Sequence, residues 1–272
     1  MTTTTELYRF QQRKRVGAAT ADDLRHSQPV FLSNPHCNNR HGLLIIHGFM
    51  STPCSMKPLT DVLYPHVSHI TCPLLSGCGQ HPDTARDIQA TQLQTDIRQA
   101  YLSLQQHCDH VTVIGQSLGG ALAVTLAREF PQIKHLFLLA PALYPPVLLQ
   151  HASLIRRILN CIGIHYLPNR AGDINNQETF ELSYKKIPLA AYFPLLNCIL
   201  TAQASLPDIH MPTTVFSGTK DHVLNTKHLP TIIQQLGAPE KKLVWLPRSY
   251  HVVSKDNDID VIIKTVLASL TQ

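Results

Sequence analysis

Short, unbroken apolar runs alternate along this chain with longer stretches in which apolar residues return every three or four positions. Leu43-Leu44-Ile45-Ile46, ending in His47-Gly48, reads as a buried strand. Ala90, Leu93, Ile97, Ala100, Tyr101 and Leu104 recur at helical spacing with polar residues between them, the pattern of an amphipathic helix packed on a sheet. Val111 to Ile114 is a second strand, followed by Gly115 to Gly120 and a helical run to Phe130. Leu136 to Leu139 is a third, closed by Ala140-Pro141. Thr213 to Phe216 and Lys242 to Leu246 are late strands, with Ile232, Ile233 and Leu236 on a helix between them, and Val261 to Leu270 closes the chain as a helix. Apolar strands alternating with helices predict an α/β fold, a mostly parallel sheet covered by helices on both faces.

The rhythm stops between residues 142 and 206. Pro145, Pro146, Pro168, Pro188 and Pro194 interrupt this stretch, helical fragments at 153–161 and 190–200 sit between them, and no clean strand pattern appears. It reads as a small, mainly helical lid inserted into a core formed by residues 1–141 and 207–272, with residues 1–40 left unassigned. The run from Ile187 to Pro207 carries no charge. Its prolines, with Asn197, Thr201 and Gln203, argue against a stable membrane insertion.

Composition narrows the classes. At 272 residues the chain accommodates one large domain with an insertion, and 44% hydrophobic against 15% charged residues excludes a disordered chain or a coiled coil. A net charge of +5 is mild, and the one tight basic run, Arg13-Lys14-Arg15, reads as a solvated segment, so no nucleic-acid partner is expected. The sixteen histidines are scattered. The densest group, His107-Cys108-Asp109-His110, fits no zinc spacing, and no metal or cofactor is expected. Seven cysteines without a CxxC pair, and an N-terminus lacking the apolar core of a secretory signal, predict reduced thiols and a cytoplasmic location.

Gly115-Gln116-Ser117-Leu118-Gly119 fits GxSxG, with an apolar strand before it and a helical run after it. A sharp strand-to-helix turn lifts the serine hydroxyl out of the packing layer, where a base and a substrate reach it. A serine hydroxyl needs a base, and the base an orienting acid. In such a sheet these follow in the order Ser, acid, His on loops after late strands. Asp221 lies just past the strand ending at Phe216, and His251 just past the one ending at Leu246. Asp208 precedes its strand, Asp256 and Asp258 follow the histidine, and His222 competes only by proximity to Asp221. An oxyanion needs preorganised donors, for which the Leu118 N–H after the serine and the Phe49 N–H after His47-Gly48 are the candidates.

Together these residues resemble the α/β-hydrolase superfamily, and within it the bacterial carboxylesterases and monoacylglycerol lipases. The resemblance runs from about Gly42 to the C-terminus and rests on the stretches 43–49, 115–120, 211–223 and 249–253. It implies Ser117 as nucleophile, Asp221 as acid, His251 as base, and a lid after the sixth strand. Many relatives carry Gly-His-Gly where this chain has Gly77-Cys78-Gly79, and a glycine where it has Tyr250. The expected activity is hydrolysis of small acyl esters of short to medium chain length. A thioesterase, lysophospholipase or acyltransferase on the same residues is the alternative, and a non-catalytic binding protein of this fold a more distant one. An apolar lid suits an acyl chain, but equally suits a lid seated on a sheet.

Overall fold

The computed structural model describes residues 6–12, 15–145 and 151–270. Of the basic run only Arg15 is among them; Arg13 and Lys14, like Pro146 of the insertion, lie outside the described residues. The centre is a seven-stranded sheet. Its strands in chain order are β3 (Val30–Ser33), β4 (His41–Ile46), β5 (His69–Cys72), β6 (His110–Gln116), β7 (His135–Leu139), β11 (Thr213–Gly218) and β12 (Lys241–Leu246). In space they run β12-β11-β7-β6-β4-β5-β3. Only β3 is antiparallel to its neighbour.

The unbroken apolar runs follow from burial on both faces. Along β4, Leu44 and Ile46 face the core shared with α3 (Ala90–Gln105) and α4 (Leu118–Glu129). Leu43 and Ile45 face the opposite core, shared with α2 (Lys57–Leu63) and the C-terminal α8 (Ile259–Leu270). Successive side chains on a strand point to opposite sides, so a strand covered on both must be apolar at every position. The buried side of α3 comprises Ala90, Leu93, Ile97, Ala100, Tyr101 and Leu104, as its spacing predicts.

The arrangement is the α/β-hydrolase fold. The insertion leaves the sheet after β7, the fifth strand along the chain among those of the central sheet. Its helices are α5 (Ala152–Cys161) and α6 (Tyr192–Ser205). It also holds three short strands that the sequence pattern does not predict: β8 (Tyr166–Pro168), β9 (Glu181–Ser183) and β10 (Lys186–Pro188). At three residues each they are too short to show an alternation. β8 pairs antiparallel with β10. β9 pairs with β1 (Tyr8–Gln11), which pairs in turn with β2 (Arg15–Ala18), so the unassigned N-terminus is a hairpin docked on the insertion. Phe10 is buried, and Gly172, at φ 75°, passes so close that a Cβ would lie 2.7 Å from it.

The uncharged run of the insertion forms α6 and its flanking turns. Leu189–Asp208 is long and apolar enough to cross a membrane by length and composition, and 44% of it is buried within the fold. Ala191, Cys198, Ala202 and Leu206 join the same core as α4.

Candidate active site

The sheet delivers its C-terminal ends to one edge, and the candidate residues meet there. β6 ends at Gln116, and Ser117 takes φ 53° and ψ −116° before α4 begins at Leu118. This is left-handed backbone that a residue with a Cβ rarely adopts. The tight turn needs glycine on both sides. A Cβ on Gly115 would lie 2.2 Å from the Gly119 carbonyl oxygen, and one on Gly119 would lie 2.3 Å from the Ile46 oxygen. The Ser117 N–H donates to the Leu139 carbonyl at 2.9 Å, tying the turn to β7.

The loops after β11 and β12 bring the other two residues to the serine. Ser117 Oγ lies 3.0 Å from His251 Nε2, and His251 Nδ1 lies 2.7 Å from Asp221 Oδ2. With Nδ1–H donating to the carboxylate, Nε2 is left to accept the serine proton. The second carboxylate oxygen of Asp221 accepts the Val223 and Leu224 N–H groups at 2.7 and 2.8 Å. Burial pushes the Asp221 carboxyl up, but the charge and hydrogen bond of His251 and the two backbone donors outweigh it, and the net shift is downward. Burial likewise works against a charged His251. Asp221, with smaller help from Glu181 and Asp173, overcomes it and holds the imidazole above its ordinary value.

The loop after β4 passes beside the serine, for a Cβ on Gly48 would lie 3.5 Å from that of Ser117. The loop is held from beneath. His47 is fully buried, its Nδ1–H donates to the Gly48 carbonyl at 2.9 Å, and its Nε2 accepts the Leu75 N–H at 3.1 Å. Burial pushes this ring down to about 4, so it is neutral and can serve as donor and acceptor at once. Ser183 of β9 donates its hydroxyl to the Met50 carbonyl at 2.7 Å, fastening the loop to the insertion. Among the described residues no acceptor is hydrogen-bonded to the Phe49 or the Leu118 N–H. The Phe49 ring meets Tyr192 of α6 with centroids 5.7 Å apart.

The residues set aside on sequence grounds do other work. Asp208 pairs with Arg128 at 3.0 Å, and Asp258 holds Arg248 and Ser249. Asp256 accepts the backbone N–H groups of Asn175, Asn176 and Tyr250. His222 turns away from Asp221 and bonds Asp173 at 2.8 Å. Asp173 is buried against the base loop, and nothing in the run Gly172-Asp173-Ile174-Asn175-Asn176 distinguishes it from an ordinary turn residue. Of the two departures from relatives, Cys78 sits buried between Gly77 and Gly79, both at positive φ, and its thiol is pushed up to about 12 by burial. Tyr250 places its ring edge-on to His222 at 4.6 Å.

The sequence profile of a family described as serine aminopeptidase, S33, matches residues 38–258. A thermostable monoacylglycerol lipase from Bacillus sp. (strain H-257) is 30% identical over 234 residues, which are 85% of this chain and 90% of the relative. A carboxylesterase from Bacillus subtilis (strain 168) is 21% identical over 221 residues, 81% of this chain and 88% of that one. Among solved structures, one from work on LipS and LipT, two metagenome-derived lipolytic enzymes, superposes with a TM-score of 0.83. It is 29% identical and covers 90% of this chain and 98% of its own. The chain therefore belongs to the serine aminopeptidase S33 family of α/β-hydrolases, within which it resembles enzymes of the lipase and esterase type.

Proposed function

We propose that this chain is a serine hydrolase of small carboxylic esters with short to medium acyl chains, of the carboxylesterase or monoacylglycerol lipase kind. The observation that carries the reading is the line from Ser117 through His251 to Asp221, at 3.0 and 2.7 Å, starting from a strained strand-to-helix turn. Ser117 Oγ attacks the ester carbonyl while His251 Nε2 takes its proton, and the charged ring is held by Asp221. The Phe49 and Leu118 N–H groups are the donors for the tetrahedral oxyanion. His251 returns its proton to the leaving alcohol, then draws one from water, which releases the acyl group from Ser117 and restores the hydroxyl. No step needs a metal or cofactor.

The substrate class follows from what borders the serine. Ala142 and Ile199 form a small apolar cluster with Tyr192, Phe193, Leu195 and Leu196 of α6 and with Leu224 beside Asp221. These partly buried side chains suit an acyl chain, and the relatives named as a monoacylglycerol lipase and a carboxylesterase favour the same class. Residues 142–206 are then the lid over an acyl site. The seven thiols are unpaired, in keeping with a reducing, cytoplasmic setting.

Labelling by a fluorophosphonate tests the reading. Wild type labels and Ser117→Ala does not, while both melt alike and the variant loses ester hydrolysis. Near wild-type turnover by Ser117→Ala overturns it. A panel of acyl esters of rising length, a thioester, a lysophospholipid and an aminoacyl anilide settles the class, with fastest turnover expected on esters of intermediate length. Preference for the anilide, or a rate that peaks at acetyl, counts against an acyl pocket.

A further inference from the structure

The segment 173–176 of the insertion is stitched to the loop that carries His251. The Asp173 carbonyl accepts the N–H groups of both His251 and Val252 at 3.1 Å. In return, Asp256 on the base side accepts the N–H groups of Asn175 and Asn176 at 2.8 and 2.9 Å. These contacts alone would seat an insertion on a core.

The Asp173 carboxylate does something more specific. Its Oδ2 accepts the His222 N–H at 3.0 Å and the His251 N–H at 3.3 Å. One oxygen thus spans the residue after the acid and the base itself, which stand on different loops. Its Oδ1 accepts His222 Nδ1 at 2.8 Å, and the side chain is 1% exposed. We propose that Asp173 is a positioning residue: it clamps the acid loop to the base loop from the insertion, and its negative charge steadies His251 in the charged form that forms during turnover. The role in turnover rests on the esterase reading; the clamp itself does not.

The charged and titratable groups around this point are few. Facing His251 are Asp221 on the loop after β11, Glu181 on β9 and Asp173 on the insertion. Of these, Asp221 bonds the ring directly, and Glu181 is engaged with the Gly172 N–H at 2.9 Å. His222 lies on the far side of Asp173, with Tyr250 against its ring. On the base loop itself, Asp256 is committed to backbone donors, while Lys255 points to Cys54 and the Phe180 ring. Among the described carboxylates of the insertion, Asp173 is therefore the one hydrogen-bonded to both loops.

Asp173→Asn in the full chain tests this, since it keeps the shape and removes the charge. A purely structural part would leave the titration of His251 where it was. The expected result is a fall in kcat of about tenfold at a KM within about twofold. The His251 midpoint, followed by NMR of its ring, moves down by about half a pH unit or more, and the acid limb of kcat/KM moves with it. Absence of either effect overturns the proposal. Should the variant not melt cooperatively, His222→Ala is read in its place, removing an exposed ring and one grip on the acid loop. A fall in kcat of about threefold at unchanged KM is then expected, and an unchanged kcat overturns the clamp. A wild-type chain that neither hydrolyses esters nor labels at Ser117 overturns the esterase reading alone, because the NMR titration needs no turnover.

Discussion

Ser117 keeps its strained backbone because everything around it is tightly built, and this makes the site sensitive to single atoms. A Cβ on Gly119 would lie 2.3 Å from the Ile46 oxygen and 2.6 Å from that of His47. Gly119→Ala must therefore shift either the start of α4 or the loop that carries Phe49. A loss of tenfold or more in kcat, about 1.4 kcal/mol in the barrier, is expected with a folded protein, measured by steady-state rates beside a thermal melt. Asp221→Asn leaves the shape but cannot hold the right tautomer of His251, and kcat should fall by about 10³–10⁴. The base must be unprotonated to act, and His251 is held above its ordinary value of 6.5. Activity is thus lost as pH falls through a midpoint above 6.5, which a pH profile of kcat/KM locates. Ser117, Asp221 and His251 were legible because chain order and strand ends restrict where each can stand. Asp173 was not, since its neighbours are turn residues and its partners lie far along the chain.

Among the elements, β4, β6, β7 and β11 could be read from their apolar positions because both of their faces are buried, whereas β12 lies at one edge and showed itself only by the short run from Leu243 to Leu246. β3 and β5 lie toward one edge, carry polar residues such as Ser33, His69 and Thr71, and show no such run. The N-terminal hairpin was illegible because its partner β9 has only three residues. Yet it bears on the site, since β9 carries Glu181 near His251 and Ser183 on the Met50 carbonyl. Phe10 is buried beneath this pairing at 3% exposure. Phe10→Ala should cost about 3 kcal/mol of stability, read as a lowered urea midpoint. It should also reduce kcat, because the loosened β9 releases one fastening of the loop that carries Phe49. Full activity in a folded Phe10→Ala protein would separate the hairpin from the site.

For the whole molecule, low surface charge is only half of the electrostatic picture. Three imidazoles, of His41, His47 and His135, are held by burial at about 4. His41 bonds Thr112, and His135 bonds Thr214 and stacks on Phe137. Below pH 6.5 these rings take up protons in the unfolded chain before they do in the folded one, so stability falls as pH drops from 6.5 toward 4. His251 works in the opposite sense: its raised value gives stability that is present below 6.5 and lost as pH rises through that value. These three rings, joined by His69, which burial and its neighbours His107 and Arg40 also push down, outnumber His251 and predict a urea midpoint that is lower at pH 5 than at pH 7. An unchanged midpoint over that range would contradict the neutral, buried state of these rings.

The pairing of Tyr8 with Ser183 joins residues about 175 apart, and so dictates an order of events during synthesis. A growing chain cannot anchor its first strand until most of its length has been made, and contacts this distant in sequence slow folding. The sheet strands up to β7 can associate before the insertion exists, whereas the hairpin has to wait for β9. An N-terminal fusion partner that holds the hairpin away from β9 would leave the central sheet assembled with the candidate site unfinished along that edge.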